Sequence, residues 1–118
     1  MPNQRLAVYG SLAPGESNHR VLARYVGTWT RGRVRGTLVN AGWAATGGFP
    51  ALVPSTDGPW VHVQVFESAM LPNAWATIDA FEGRDYKRVV VPVYSEGTDD
   101  ERVMFEANIY ALAIEALS

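Results

Sequence analysis

The chain has 118 residues, no cysteine and a formal net charge of −2. That length predicts one domain, residues 1–118, with a core of its own. Missing cysteines exclude disulfides, thiolate metal ligation and a cysteine nucleophile, and the slightly acidic balance argues against a nucleic-acid partner held by phosphate neutralisation.

Hydrophobic residues make up 47% and charged residues 19%, which fits a soluble globular protein rather than a disordered one. No apolar run approaches the roughly 20 residues that a membrane-spanning helix needs. The N-terminus lacks the basic and then apolar pattern of a signal peptide. The expectation is a cytoplasmic protein with no membrane partner. His19 and His62 are far apart and show no paired-ligand pattern, so no metal site is expected.

Residues 5–9 read as a buried strand. It runs into Tyr9-Gly10-Ser11-Leu12, where Gly10 permits a turn that a side chain would obstruct. A strand that stops at such a loop and leads into a helix presents backbone N–H groups suited to an anion. The same residues also fit a plain turn. The loop is not a phosphate loop, because no G-x-x-x-x-G-K-[ST] follows. Gly10 and Gly15 also lack the dinucleotide spacing. A short helix is expected over 18–25, capped by Ser17 or Asn18, with Val21, Leu22 and Tyr25 on one side.

Residues 27–40 look extended, and glycines 32 and 36 mark places for a bulge or bend. Arg31, Arg33 and Arg35 alternate along this strand and read as one solvated face rather than a phosphate-binding stripe. After the small-residue loop Ala41–Gly48, the segment Phe49–Pro54 is bracketed by prolines. It fits a short edge strand or an extended loop. Trp60–Glu67 is a strand with Val61, Val63 and Val65 on one face. A helix is expected over 72–82, with Pro72 early and Gly83 as the stop. Tyr86–Tyr94 and Arg102–Leu112 read as two strands joined by the polar loop 95–100. About six strands and two helices suggest α+β, with a curved, mostly antiparallel sheet that closes into a barrel.

The second helix carries an oddly placed carboxylate. Leu71, Trp75 and Ile78 form one apolar stripe, and Glu82 continues it, whereas Asp79 is expected to face solvent. Glu82 also lies in the last turn, where the helix dipole disfavours an anion. Dipole and burial both push its pKa upward, so it is a candidate general base. An ion pair with Arg84 or Arg88 is the competing reading, and a frayed helix end is a third. No Ser-His-Asp arrangement is visible, since Ser11 has no supporting His motif and His19 reads as a locally packing or capping residue. The loop and Glu82 together suggest a pocket for a small zwitterion or carboxylate with one acid/base group.

Three blocks resemble a known family. Val8-Tyr9-Gly10-Ser11-Leu12 with Pro14-Gly15 and Asn18-His19 is similar to the opening of the gamma-glutamylcyclotransferase-like family. Phe49–Pro54 resembles its middle, and Ile78-Asp79-Ala80-Phe81-Glu82-Gly83 with Tyr86-Lys87-Arg88 its later part. The chain length resembles the compact branch that includes gamma-glutamylaminecyclotransferases. The resemblance implies a small mixed barrel flanked by helices. It implies that Tyr9, Gly10, Ser11 and Leu12 form the substrate loop, that Glu82 is the acid/base, and that Tyr86, Arg88 and Tyr110 are pocket-side or supporting residues. The activity implied is release of 5-oxoproline and a free amine or amino acid from a small gamma-glutamyl amide, with no cofactor or metal. A non-catalytic module that keeps the gamma-glutamyl pocket is the alternative.

Overall fold

The computed structural model describes residues 2–9, 19–39, 51–83, 86–96 and 102–113. Six strands form one sheet: β1 (Arg5–Val8), β2 (Thr28–Val39), β3 (Ala51–Pro54), β4 (Trp60–Glu67), β5 (Tyr86–Tyr94) and β6 (Val103–Leu112). Among the described residues two α-helices accompany them, the single turn α1 (Arg20–Ala23) and α2 (Trp75–Glu82). Short 3-10 turns at Pro2–Gln4 and Leu71–Asn73 precede β1 and α2.

Five of the strands close on themselves. Strand β1 is antiparallel to β4, β4 to β2, and β2 to β3. Parallel pairs complete the ring, β3 to β6 through Leu52↔Ala111 and β6 to β1 through Asn108↔Leu6 and Ile109↔Ala7. Strand β5 lies outside this ring, antiparallel to β6, and reaches β2 at Arg33↔Tyr94. Its outlying position makes Pro92 tolerable, since a residue without N–H is excluded mainly from central strands.

Alternation along the strands builds two apolar layers. Val61, Val63 and Val65 of β4, with Val34, Leu52 and Ile109, fill the barrel. Leu6, Val8, Phe66 and Tyr110 point the other way and pack on Leu22, Leu71, Trp75 and Ile78 from the helical side. The expected stripe on the second helix is therefore buried, with Leu71 and Ile78 at 0% exposure.

Three expectations change. The described part of the segment expected as an edge strand or loop, Ala51–Pro54, is an internal strand, β3: its Leu52 lies between Leu38 of β2 and Ala111 of β6. Glycine 32 marks no bulge, because β2 keeps an unbroken register with β4 from Thr28 to Arg35. It marks a close approach instead. A Cβ there would stand 2.6 Å from Val93 Cγ1, where β5 shifts register and swings across β2. The arginine face is also more structured than expected. Arg33 and Arg35 lie over the Trp60 ring, 3.9 and 3.8 Å from its centroid, while Arg31 is exposed. The proposed caps Ser17 and Asn18 and the loop Ala41–Gly48 fall outside the described residues.

Candidate active site

Helix α2 sets the position of Glu82. Trp75 and Ile78 anchor the helix against the outside of the barrel. Gly83 ends it with φ 82° and ψ −177°, and its N–H donates to the Asp79 carbonyl at 3.1 Å. Glu82, one residue before that break, is half-buried. Burial pushes its carboxyl up to about 7 from an ordinary 4.5. Among the described residues no cation and no hydrogen-bond donor reaches it.

The competing ion pair is absent at Arg88. Its Nε donates to Asp79 Oδ1 at 2.9 Å and its Nη2 to Asp79 Oδ2 at 3.4 Å. Arg84 lies outside the described residues. Asp79 was expected to face water, and its side chain does keep 43% exposure, yet it is the helix's polar anchor. Tyr110 Oη also donates to its Oδ1, at 2.6 Å. Partial burial works to raise the Asp79 pKa, but the bonds from Arg88 and Tyr110 outweigh it and hold the carboxyl below 3.8. Arg88 continues the chain: Nη1 donates to Asn108 Oδ1 at 3.1 Å, and Asn108 Nδ2 donates to the Pro2 carbonyl at 2.8 Å. Its guanidinium also lies over the Trp75 ring, 4.2 Å from the centroid.

Strand alternation explains why these groups meet. Arg88 pairs with Tyr110 across β5 and β6, and Asn108 lies two residues away on the same face of β6. That face looks toward α2. Tyr86, two residues before Arg88, packs against the same apolar layer.

Tyr9 follows directly on the first strand. Its hydroxyl donates to the Tyr110 carbonyl at 2.6 Å and accepts the Leu52 N–H at 3.0 Å. It thus ties β1 to β6 and β3 at the point where the ring closes. Burial chiefly raises its pKa, the Leu52 N–H opposes this, and the charges of Tyr86 and Glu82 add to the rise. Burial also dominates the rise at Tyr110, followed by Asp79, with Glu82 contributing. Glu82 is thus close enough to influence both tyrosines electrostatically. The rest of the proposed loop, Gly10, Ser11 and Leu12, lies outside the described residues.

The described geometry therefore brings together Tyr9, Glu82, Tyr86, Arg88 and Tyr110. It adds Asp79, Asn108 and Trp75, to which the sequence reading gave no polar role. A weak signal existed for Asp79: a carboxylate three residues before Glu82 and nine before an arginine. Asn108 carried none. Among the described residues no group of three potential metal ligands occurs, and no helix is long and apolar enough to cross a membrane.

Chemically, the arrangement offers one titratable carboxyl poised near neutrality. It stands beside a strand end and is backed by tyrosines held protonated. Such a group can accept a proton from a bound ammonium and return it to a leaving nitrogen.

Solved structures share the fold. A mouse AIG2-like protein superposes with a TM-score of 0.69 at 23% identity, covering 97% of this chain and 82% of that one. An Arabidopsis thaliana protein gives 0.68 at 24% identity, covering 96% and 70%. YkqA from Bacillus subtilis gives 0.65 at 25% identity over 92% of this chain, which spans only 35% of YkqA. No curated protein matches the chain. Residues 6–117 match the family described as Gamma-glutamyl cyclotransferase, AIG2-like. With nearly its whole length inside that match and the barrel of its structural relatives, the chain belongs to the gamma-glutamyl cyclotransferase, AIG2-like family.

Proposed function

We propose that the protein is a cyclotransferase that releases 5-oxoproline and a free amine or amino acid from a small gamma-glutamyl amide. The observation that carries this reading is Glu82: a half-buried carboxyl pushed up to about 7, with no partner among the described residues, at the end of α2. Family membership supports it.

The substrate brings its own nucleophile. Glu82, as the carboxylate, takes a proton from the α-ammonium. The freed amine attacks the γ-carbonyl carbon and closes a five-membered ring, leaving a tetrahedral oxyanion. Collapse breaks the bond to the leaving nitrogen, and Glu82 returns the proton to it. The attacking nitrogen, which still carries two hydrogens after ring closure, gives up the second by way of Glu82, and the amine leaves as its ammonium. Proton and electron pairs then balance with no added water, metal or cofactor. Holding the amine against the carbonyl supplies up to roughly 7–11 kcal/mol, and a positioned base about 10²–10⁴-fold. The loop Tyr9-Gly10-Ser11-Leu12 would hold the amino-acid end and offer N–H groups to the oxyanion.

The test is release of 5-oxoproline from a panel of gamma-glutamyl amines and amino acids. The wild type is expected to turn over at least one, and Glu82→Gln to lose about 10²-fold or more. A wild type that binds panel members without product would instead favour the binding-module reading. Full activity in Glu82→Gln would remove Glu82 from the mechanism.

A further inference from the structure

Four residues of α2, β5 and β6 form a connected polar path that ends on the backbone of the N-terminal turn. Asp79 is its first member. Its carboxylate takes Arg88 Nε and Tyr110 Oη on one oxygen, and its backbone carbonyl takes the N–H of Gly83. The peptide that follows Glu82 is therefore bonded to the same residue whose side chain is pinned to the sheet. Arg88 carries the path to Asn108, which is buried at 5% exposure, and Asn108 carries it to Pro2. A second route leaves Trp75. Its ring supports the Arg88 guanidinium, and its Nε1 donates to the Asn3 carbonyl at 3.0 Å.

We infer that Asp79, Arg88 and Asn108 are positioning residues, which fix the last turn of α2 and so the placement of Glu82, with the N-terminal turn as the far anchor of the path. The inference rests on the cyclotransferase reading of Glu82. Placement matters because Gly83 breaks the helix directly after Glu82, so helical hydrogen bonding does not continue to restrain it. The apolar contacts of α2 lie at Trp75 and Ile78, one to two turns back. Asp79 is the polar restraint nearest the end. A misplacement of about 1 Å in a reacting group can cost about 10²-fold.

Among the described residues the charged and titratable groups near Glu82 are Tyr9 after β1, Tyr110 on β6 and, one turn back, Asp79 with Arg88; Tyr86 stands near Tyr9. Loosening the end of α2 lets water reach Glu82 and reduces the desolvation that raises its pKa.

The experiment uses the full chain with two variants. Arg88→Met keeps an apolar stem over Trp75 and removes the fork, and Asn108→Leu cuts the path at its far end. Each is assayed for 5-oxoproline release across pH, and the Glu82 side-chain carboxyl is titrated by carbon NMR. Arg88→Met is expected to lower kcat by roughly ten- to hundredfold with KM unchanged within about twofold. Asn108→Leu, which changes no charge, is expected to lower kcat by less and to move the Glu82 titration and the acid limb of the rate profile to lower pH together. Arg88→Lys, which keeps the charge but not the planar fork, is expected to move both in the same direction, with a kcat between those of Arg88→Met and wild type. Arg88→Met also removes a cation near Glu82, which opposes this shift, so kcat and KM are its readouts. A raised KM with kcat intact would overturn the inference and make Arg88 a substrate contact. Unchanged kcat per folded molecule with an unchanged Glu82 titration would also overturn it. Absence of product from the wild type would sink the cyclotransferase reading instead, and the NMR titration would then decide the positioning on its own.

Discussion

The Arg88 guanidinium closes on Asp79, with Nε 2.9 Å from Oδ1, and not on Glu82 one turn further along the same helix. The two carboxylates of α2 are thereby driven apart in character. Asp79 gains a cation and a phenol and sits below its ordinary pKa. Among the described residues Glu82 gains burial alone and sits well above. Divergence of this kind separates the two carboxyls in protonation: Asp79 remains an anion near neutral pH, whereas Glu82 can take up or release a proton there.

A rate profile follows from this divergence. The base form of Glu82 is the carboxylate, so kcat/KM is expected to rise tenfold per pH unit below the Glu82 pKa and to level off above about 7. Initial rates of 5-oxoproline release from pH 5 to 9 measure the limb. A limb centred near 4.5 would mean that Glu82 is not desolvated in the working enzyme.

The same shift has a stability counterpart. The folded pKa of Glu82, about 7, lies above the ordinary 4.5 of the unfolded chain. Between these values the folded state holds the extra proton. Stability from this group is therefore full below about 4.5 and is lost as pH rises through about 7. Glu82→Gln does not titrate, so its stability relative to wild type is expected to improve by on the order of 2 kcal/mol between pH 4 and pH 8, after discounting for the exposed part of the side chain. Urea titrations of both proteins at the two pH values give the difference. A gap that does not change with pH would contradict the raised pKa.

Tyr9 gives a prediction of a different kind. Its hydroxyl serves two backbone groups from different strands, the Tyr110 carbonyl and the Leu52 N–H. Tyr9→Phe leaves both without that partner at the closure of the barrel. The expected loss is about 1–3 kcal/mol, read as a lower urea midpoint. If stability is unchanged while KM rises, the hydroxyl faces substrate and the strand-tying role is wrong.

These residues also show how far the sequence reached. Strands 60–67 and 86–94 were legible to the residue, from the period-two valines of the first, the valine-rich run of the second and the turn signals beside them. Glu82 was legible as a carboxylate standing on an apolar helical stripe. The segment 49–54 reads as a short edge strand or an extended loop because prolines bracket it. The strand is internal at Leu52 through one parallel pair with β6 and a side-chain hydroxyl that takes the Leu52 N–H. Tyr9 and Leu52 are far apart in sequence, and no local pattern reports such a bond. Asp79 keeps much of the expected exposure, but its bonds to Arg88 and Tyr110 were hidden for a similar reason. Helical periodicity gives the direction of a side chain but not the arginine that β5 brings to it. The helix was expected from residue 72 and begins at Trp75, because the proline falls in a separate 3-10 turn over Leu71–Asn73.

Gly83 supports a test of the helix end. Its backbone, φ 82° and ψ −177°, lies in a region essentially reserved for glycine. A Cβ there would meet nothing within 4 Å, so any cost of a side chain is conformational and not steric crowding. Gly83→Ala is expected to lose about 1–3 kcal/mol and to lower turnover per folded molecule, since the residue that must readjust is adjacent to Glu82. A stable Gly83→Ala with full activity would show that the chain accommodates another turn there.

The barrel wall makes the opposite case at Gly32, where space is the constraint. Its Cβ position lies 2.6 Å from Val93 Cγ1 and 3.2 Å from the Tyr94 carbonyl oxygen. Gly32→Ala alone forces β5 away from β2 near Arg33↔Tyr94, at an expected cost of about 1–3 kcal/mol. Val93→Ala alone removes a fully buried side chain and leaves a cavity. In combination the new methyl occupies space that Val93 vacates, so the double variant is expected to lose less than the sum of the singles by about 1 kcal/mol or more. A four-protein cycle of urea midpoints measures this coupling. Strict additivity would mean that β5 moves as a rigid strand, and that the Tyr94 carbonyl, not Val93, sets the limit at Gly32.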